Sequence, residues 1–204
     1  MPLSYMGRGT GLGMAKETTW GTAVSRTDWM ELVSSSLART VDRTYRPHLV
    51  GSGSAVRKVV FDGADNVGGD VEFEGVYNAI CLGHVMFAAT GTAATTGSGP
   101  YTHTFTMGAT LPSWTMEFLR GTGKAADSEV FEGMKCSSLT LSQAVNDIMR
   151  VRTNWIGQTS GGRASGGSPT YTSSAAPILH TQAGSLTWNS VTYAAITSAE
   201  INIE

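Results

Sequence analysis

Asp70-Val71-Glu72-Phe73-Glu74 alternates without a break, with Val71 and Phe73 on one side and three carboxylates on the other. Successive side chains of an extended chain point to opposite faces, so this is a half-buried strand with an acidic outer face. Gly75 closes it. In the next segment, 76–89 (VYNAICLGHVMFAA), apolar residues occur almost all round the helical wheel, which predicts a helix covered on several sides. Thr90-Gly91 is its stop signal.

The same period of two recurs outward from this point. Val59-Val60-Phe61 runs into Asp62-Gly63, a turn signal. A Gly/Ala/Thr/Ser stretch, 91–99, reads as a loop before Tyr101, His103, Phe105 and Met107 alternate with threonines. Trp114, Met116 and Phe118 follow, then a short mixed strand at 128–132, then Leu139 and Leu141 among Ser and Thr. Met149, Val151, Thr153 and Trp155 alternate with Arg150, Arg152 and Asn154. Near the end, Leu186 and Trp188 precede an Asn189-Ser190 turn, and Ile201 and Ile203 mark a last strand. Short strands with one helix predict a mainly β fold, a barrel or sandwich with a helix packed outside it and long loops or arms. The organisation read from this pattern is an N-terminal arm and first strand (1–33), a long polar loop (34–58) and a β core (59–204). The core carries the helix 76–89 and a flexible, Gly- and Ser-rich loop at 158–174.

Composition narrows the function. Of 204 residues only 15% are charged, against roughly 25% in an ordinary soluble domain, and 25 are glycine. Fourteen basic residues against 16 acidic ones leave a net charge of −2, no excess with which to hold phosphates tightly. Cys81 and Cys136 stand in unrelated contexts, without a CxxC. No stretch reads as a secretory leader, and no apolar run approaches the ~18 residues of a membrane-spanning helix.

No catalytic constellation emerges. His48, His84, His103 and His180 have no metal-site spacing. Gly121-Thr122-Gly123-Lys124 lacks both the first glycine and the following hydroxyl of a phosphate loop. Asp70, Glu72 and Glu74 lie in a row on one strand face, whereas glycosidase carboxylates face each other across a bond. The expectation is a non-enzyme without metal or cofactor. Trp114, Trp155 and Trp188 read as core residues, whereas Trp20 and Trp29 read as anchors of a subunit interface.

Four stretches, in order, resemble the tail tube (major tail) protein family of long-tailed bacteriophages. They are Ala15-Lys16-Glu17-Thr18-Thr19-Trp20-Gly21-Thr22-Ala23, the Gly69–Glu74 strand running into its helix, Tyr101–Phe105 ahead of Leu111-Pro112-Ser113, and Phe131-Glu132-Gly133-Met134-Lys135. Relatives generally continue for several strands beyond the position of Glu204, so closure of a barrel and strand count stay open here. The resemblance implies a virion protein, assembled in the host cytoplasm, whose copies form rings, usually sixfold, that stack into a tube. DNA is then transient cargo in the lumen, and tail terminator and tip or tape-measure proteins are further partners, with no membrane involved. The inner tube of a contractile tail or secretion-like particle, and an extracellular β-sandwich binding module, are the alternatives. Within the tube reading, Arg39, Asp42, Arg43 and Arg46 are expected at an inter-ring contact. Asp70, Glu72 and Glu74 are expected to face the lumen.

Overall fold

A computed structural model describes residues 10–45, 60–76, 82–120, 128–164, 169, 171, 178–179, 185–188, 190–194 and 198–204. The chain enters through β1 (Thr10–Lys16), almost wholly buried, and doubles back as β2 (Asp28–Glu31). After the two-residue β3 (Ser34–Ser35), β4 (Ala38–Tyr45) pairs antiparallel with β5 (Val60–Glu74). The helix α1 (His84–Thr90) leads directly into β6 (Gly91–Thr96), which pairs with β7 (Thr102–Met107). β8 (Trp114–Arg120), β9 (Ser128–Ala144), β10 (Arg150–Gly157) and β11 (Thr159–Ala164) complete the centre. A hairpin of β12 (Ser185–Trp188) and β13 (Val191–Ala194) precedes the last strand, β14 (Ser198–Ile203).

The 17-residue β9 organises this framework. Its first half pairs with β8 and β11, and its second half with β10 and β14. β8 carries β1 and β2 outward on one side, and β10 carries β5, with β3 and β4, on the other. Among the described residues the sheet wraps one core but does not close into a barrel. Leu12, Met14, Trp114, Met116 and Phe131 meet Val71, Phe73, Leu139, Val151 and Trp155 in that core, and Val85, Ala88 and Ala89 of α1 cover it. Each large side chain removed from water there contributes about 1.5–3 kcal/mol.

The alternating segments behave as read. Val71, Phe73, Val151, Thr153 and Trp155 are buried, and Asp70, Glu72, Glu74, Arg150, Arg152 and Asn154 face out. Trp114 and Trp155 are core residues, while the Trp188 side chain lies outside the described residues. The helix stops where expected. Gly91 adopts a left-handed φ of 91°, and its amide donates to the Phe87 carbonyl. Of the expected helix 76–89, positions 77–81 lie outside the described residues, and the α-helical turns begin at His84. His84 pairs with Asp28 of β2 at 3.0 Å, and Phe87 packs edge-on against Trp114, fixing α1 to the sheet.

Several polar segments expected as loops are strands. Asp62-Gly63 sits inside β5 and makes no turn. A Cβ at Gly63 would stand 2.9 Å from the Asp42 carbonyl, so this glycine admits a close strand beside the register shift between Val41 and Arg43. Residues 91–96 form β6, and 159–164, inside the expected flexible loop, form β11.

Gly69 shows how tightly β3 is held. Its φ is 145°, and a Cβ there would lie 2.6 Å from the Ser36 carbonyl oxygen. Gly69→Ala is expected to cost about 2 kcal/mol through strain and backbone collision, lowering the melting temperature by roughly 4–8 °C. Thermal unfolding followed by circular dichroism checks it; an unchanged midpoint would mean that the Ser36–Leu37 backbone yields freely.

Candidate assembly surfaces

The first surface is built on a buried carboxylate. β1 ends at Lys16, and the next residue, Glu17, turns its side chain inward, where it is 5% exposed. Its Oε1 accepts from the Gly133 amide at 2.8 Å and the Thr115 hydroxyl at 3.0 Å, and its Oε2 from the Gly21 amide at 2.9 Å. Gly21 and Gly133 both have positive φ, 74° and 67°, which lets their amides point at one acceptor. The Glu17 amide donates to Ser113 O, and the Val24 amide to Thr115 Oγ1. Arg26 pairs with Glu117, which is fully buried on β8. The segment between β1 and β2, expected to be part of an arm, is thus clipped across β8 and β9.

This clip presents Trp20. Its indole N–H donates to Gly133 O at 3.3 Å, yet the residue is 58% exposed. Lys135 Nζ lies 5.9 Å from its ring, and Ile156, 61% exposed, completes a shallow groove of about 280 Å³ with Gly133, Cys136 and Gly157. Burial pushes the Cys136 thiol up to about 12, so it stays protonated and inert in this wall. Trp29, the other expected anchor, is buried and bridged in register to Tyr171.

The second surface is the outer face of β14, β9, β10 and β5. The register sets Glu200, Ser142, Arg150 and Glu74 in one row, and Asn202, Thr140, Arg152, Glu72 and Ser34 in the next. Ser138, Asn154 and Asp70 form a third. Arg152 pairs with Asp70 at 2.8 Å and Arg150 approaches Glu74 at 3.8 Å. Four carboxylates (Asp70, Glu72, Glu74, Glu200) against two guanidiniums (Arg150, Arg152) leave the face two negative charges per copy. The three expected acids do share a face, but opposing arginines temper it. The charged rows stop at the bulge between Asn154 and Trp155, beyond which Ile156 and Lys135 begin the Trp20 groove.

The Asn154 amide, and then Arg152, hold the Asp70 carboxyl below its usual 3.8. A depressed folded-state pKa contributes stability above the unfolded value, and this is lost as pH falls through the folded one. Asp70→Asn should therefore flatten the fall in melting temperature as pH drops below about 5. The pair is partly exposed, so the difference stays below about 1 kcal/mol, or roughly 3 °C. Identical pH profiles for both proteins would remove the carboxylate from the account.

The third surface is the β4–β5 arm. Arg39 donates to Asp65 Oδ2 at 2.7 and 3.1 Å, and Arg43 to Asp62 at 3.1 Å, so both arginines find acids within their own chain. Asp42 is exposed on β4, whereas Arg46 lies outside the described residues. The fourth is the β6–β7 hairpin, nearly all of it exposed.

Among the described residues, no group of three His, Cys, Asp or Glu side chains is placed to hold a metal ion, and no helix is long and apolar enough to cross a membrane. Among the described residues the chain is an open, mainly antiparallel β framework with unpaired edges, an exposed tryptophan and a hairpin exposed along most of its length, features that suit association. The sequence matches the phage tail tube protein family over residues 7–204, and the chain belongs to that family. It is a structural component of the phage tail that assembles with itself into a tube, not an enzyme. None of the curated proteins compared matches it.

Proposed function

We propose that this chain is the repeating subunit of a DNA-conducting tail tube, in which copies close into rings, sixfold, and the rings stack. The observation that carries the reading is the unclosed sheet of a tube-family chain. β14 pairs with β9 on one side, and its outer edge has no partner among the described residues. A bare edge is a liability in a monomer and a joint in a ring, where each edge meets the next copy. In such a ring the polar face of β14, β9, β10 and β5 lines the channel, and its net negative charge keeps phosphates from adhering. The β4–β5 arm, with Asp42 and the ion pairs of Arg39 and Arg43 along it, reaches the adjoining ring, a contact to which Arg46 of the sequence is also assigned. The tube is assembled in the host cytoplasm, with terminator and tip or tape-measure proteins bounding it. Negative-stain electron microscopy of the purified protein is expected to show rings or tubes with a central channel. Monodisperse monomers at all concentrations would overturn the reading.

A further inference from the structure

Two features of the free chain are expensive to leave in water. The first is the β6–β7 hairpin. Its register places Thr92, Ala94, Thr96, Thr102, Thr104 and Thr106 on one face, and Gly91, Ala93, Thr95, His103, Phe105 and Met107 on the other, where Thr95 and His103 hydrogen-bond to each other at 2.9 Å. Tyr101, just before β7, continues the second face. Tyr101 and Met107 are 63% and 69% exposed, so the apolar side of this hairpin is largely uncovered. No Asp, Glu, Lys or Arg occurs anywhere between Glu74 and Glu117. Solvated hairpins and exposed edges are ordinarily protected by charge, and a lone two-stranded hairpin is marginally stable without a surface to pack on.

The second is the Trp20 groove. A buried carboxylate and two positive-φ glycines hold a large aromatic ring outward beside exposed Ile156. Ordered exposed aromatics with their polar atom already satisfied suit an interface anchor. The groove is apolar and carries one cation, Lys135, so an uncharged, aromatic-bearing partner complements it and a basic one does not.

We infer that the apolar face of the β6–β7 hairpin of one copy seats in the Trp20–Ile156 groove of a second copy. The inference rests on the tube reading and identifies one of its joints. The pairing is head-to-tail, with two different surfaces of the same chain, and such contacts close into rings or propagate as filaments. The hairpin carries no Lys or Arg with which to neutralise phosphates, so it is poorly suited to nucleic acid. The position of the groove agrees. It begins where the charged rows of the sheet end, at the limit of the polar face. β7 runs through Gly108 to Ser113 into β8, and Ser113 accepts from the Glu17 amide, so the hairpin leaves from the end of β8 where the clip sits. Six residues of strand extend about 20 Å, enough to reach past the chain's own surface to another.

A mixing experiment separates this from other contacts. One variant carries Tyr101→Lys and Met107→Lys on the hairpin, the other Ile156→Lys in the groove, and all three positions are exposed. Each variant alone is expected to stop short of tubes, as monomers or single rings, with a melting temperature near that of the parent. An equimolar mixture joins the intact hairpin of one to the intact groove of the other. Sedimentation velocity should then show pairs of the starting species and nothing longer. If Ile156→Lys fails to fold, Trp20→Ser serves as the groove variant. Tubes from either variant alone, or a mixture no larger than its components while the parent forms tubes, overturns the inference and leaves the tube reading standing. A parent that never assembles overturns the tube reading itself.

Discussion

Glu17→Ala is expected to lower the melting temperature by roughly 8–16 °C, equivalent to about 4 kcal/mol in a chain of this size. The carboxylate is the common acceptor for the Gly21 amide, the Gly133 amide and the Thr115 hydroxyl. Removing it leaves those donors without that acceptor in a site from which water is largely excluded, at about 1–3 kcal/mol each. Some relief comes from water entering the vacated space, which keeps the total below the simple sum. Glu17→Gln should lose about half as much. Its amide oxygen still accepts from one side, while its NH2 faces a donor where the second oxygen had been. The damage should be local as well as global, because the segment from Glu17 to Thr27 is tied down through Glu17, Thr115 and Glu117. Limited proteolysis near Trp20 should therefore accelerate in the Ala variant well below its melting temperature. A midpoint within about 2 °C of the parent would show that this segment is held by its packing and that the carboxylate is incidental.

The parts of the fold that were legible are those where one face of a strand is buried. Val71 and Phe73, and Val151, Thr153 and Trp155, carry a period of two because the core removes every second side chain from water. β4, β6 and β11 lack that signature. Most described positions in β4 and β6 are exposed, and their strand character comes from a partner backbone supplied elsewhere in the chain. Sequence alone therefore reads such segments as loops. Long-range pairing explains the rest. Arg39 and Arg43 look unpartnered in a linear reading, because Asp65 and Asp62 come opposite them only once β4 and β5 are in register. Arg150 and Arg152 likewise temper the acidic strand only through the β10–β5 register. Glu17 stands in the sequence as one letter of a family motif, but its role as an acceptor for an amide 116 residues away has no local signal. Trp20 stands among Glu, Thr and Gly, whereas Trp29 opens the run Trp29-Met30-Glu31-Leu32-Val33, a strand-like signal that fits its burial on β2.

Changing Asp70, Glu72 and Glu74 together to Lys is expected to slow DNA ejection at least tenfold at about 0.05 M salt, with most of the rate recovered near 1 M. The outer face carries four carboxylates and two guanidiniums, and the triple substitution turns its net charge from −2 to +4 per copy. In the sixfold ring proposed above, with this face lining the channel, the same change is repeated around the wall, so a mildly negative channel becomes a dense positive band. Phosphates passing such a band release counterions and adhere, an interaction that weakens steeply as salt rises. Screening lengths of about 10 Å at 0.1 M and 3 Å at 1 M place the recovery in that range. Folding is a lesser matter. The Asp70–Arg152 pair is partly exposed, so its loss costs less than about 1 kcal/mol, although crowding Lys beside Arg150 and Arg152 adds to it. A neutral version, with Asp70→Asn, Glu72→Gln and Glu74→Gln, leaves the face at +1 and should fall between the two. Ranking the three proteins by ejection rate at low salt separates an electrostatic effect from a misassembled tube, since only the former follows charge and fades with salt. Tubes of the Lys variant that assemble normally and eject at the parental rate in 0.05 M salt would place this face on the outside of the tube, and with it the negative lumen would go.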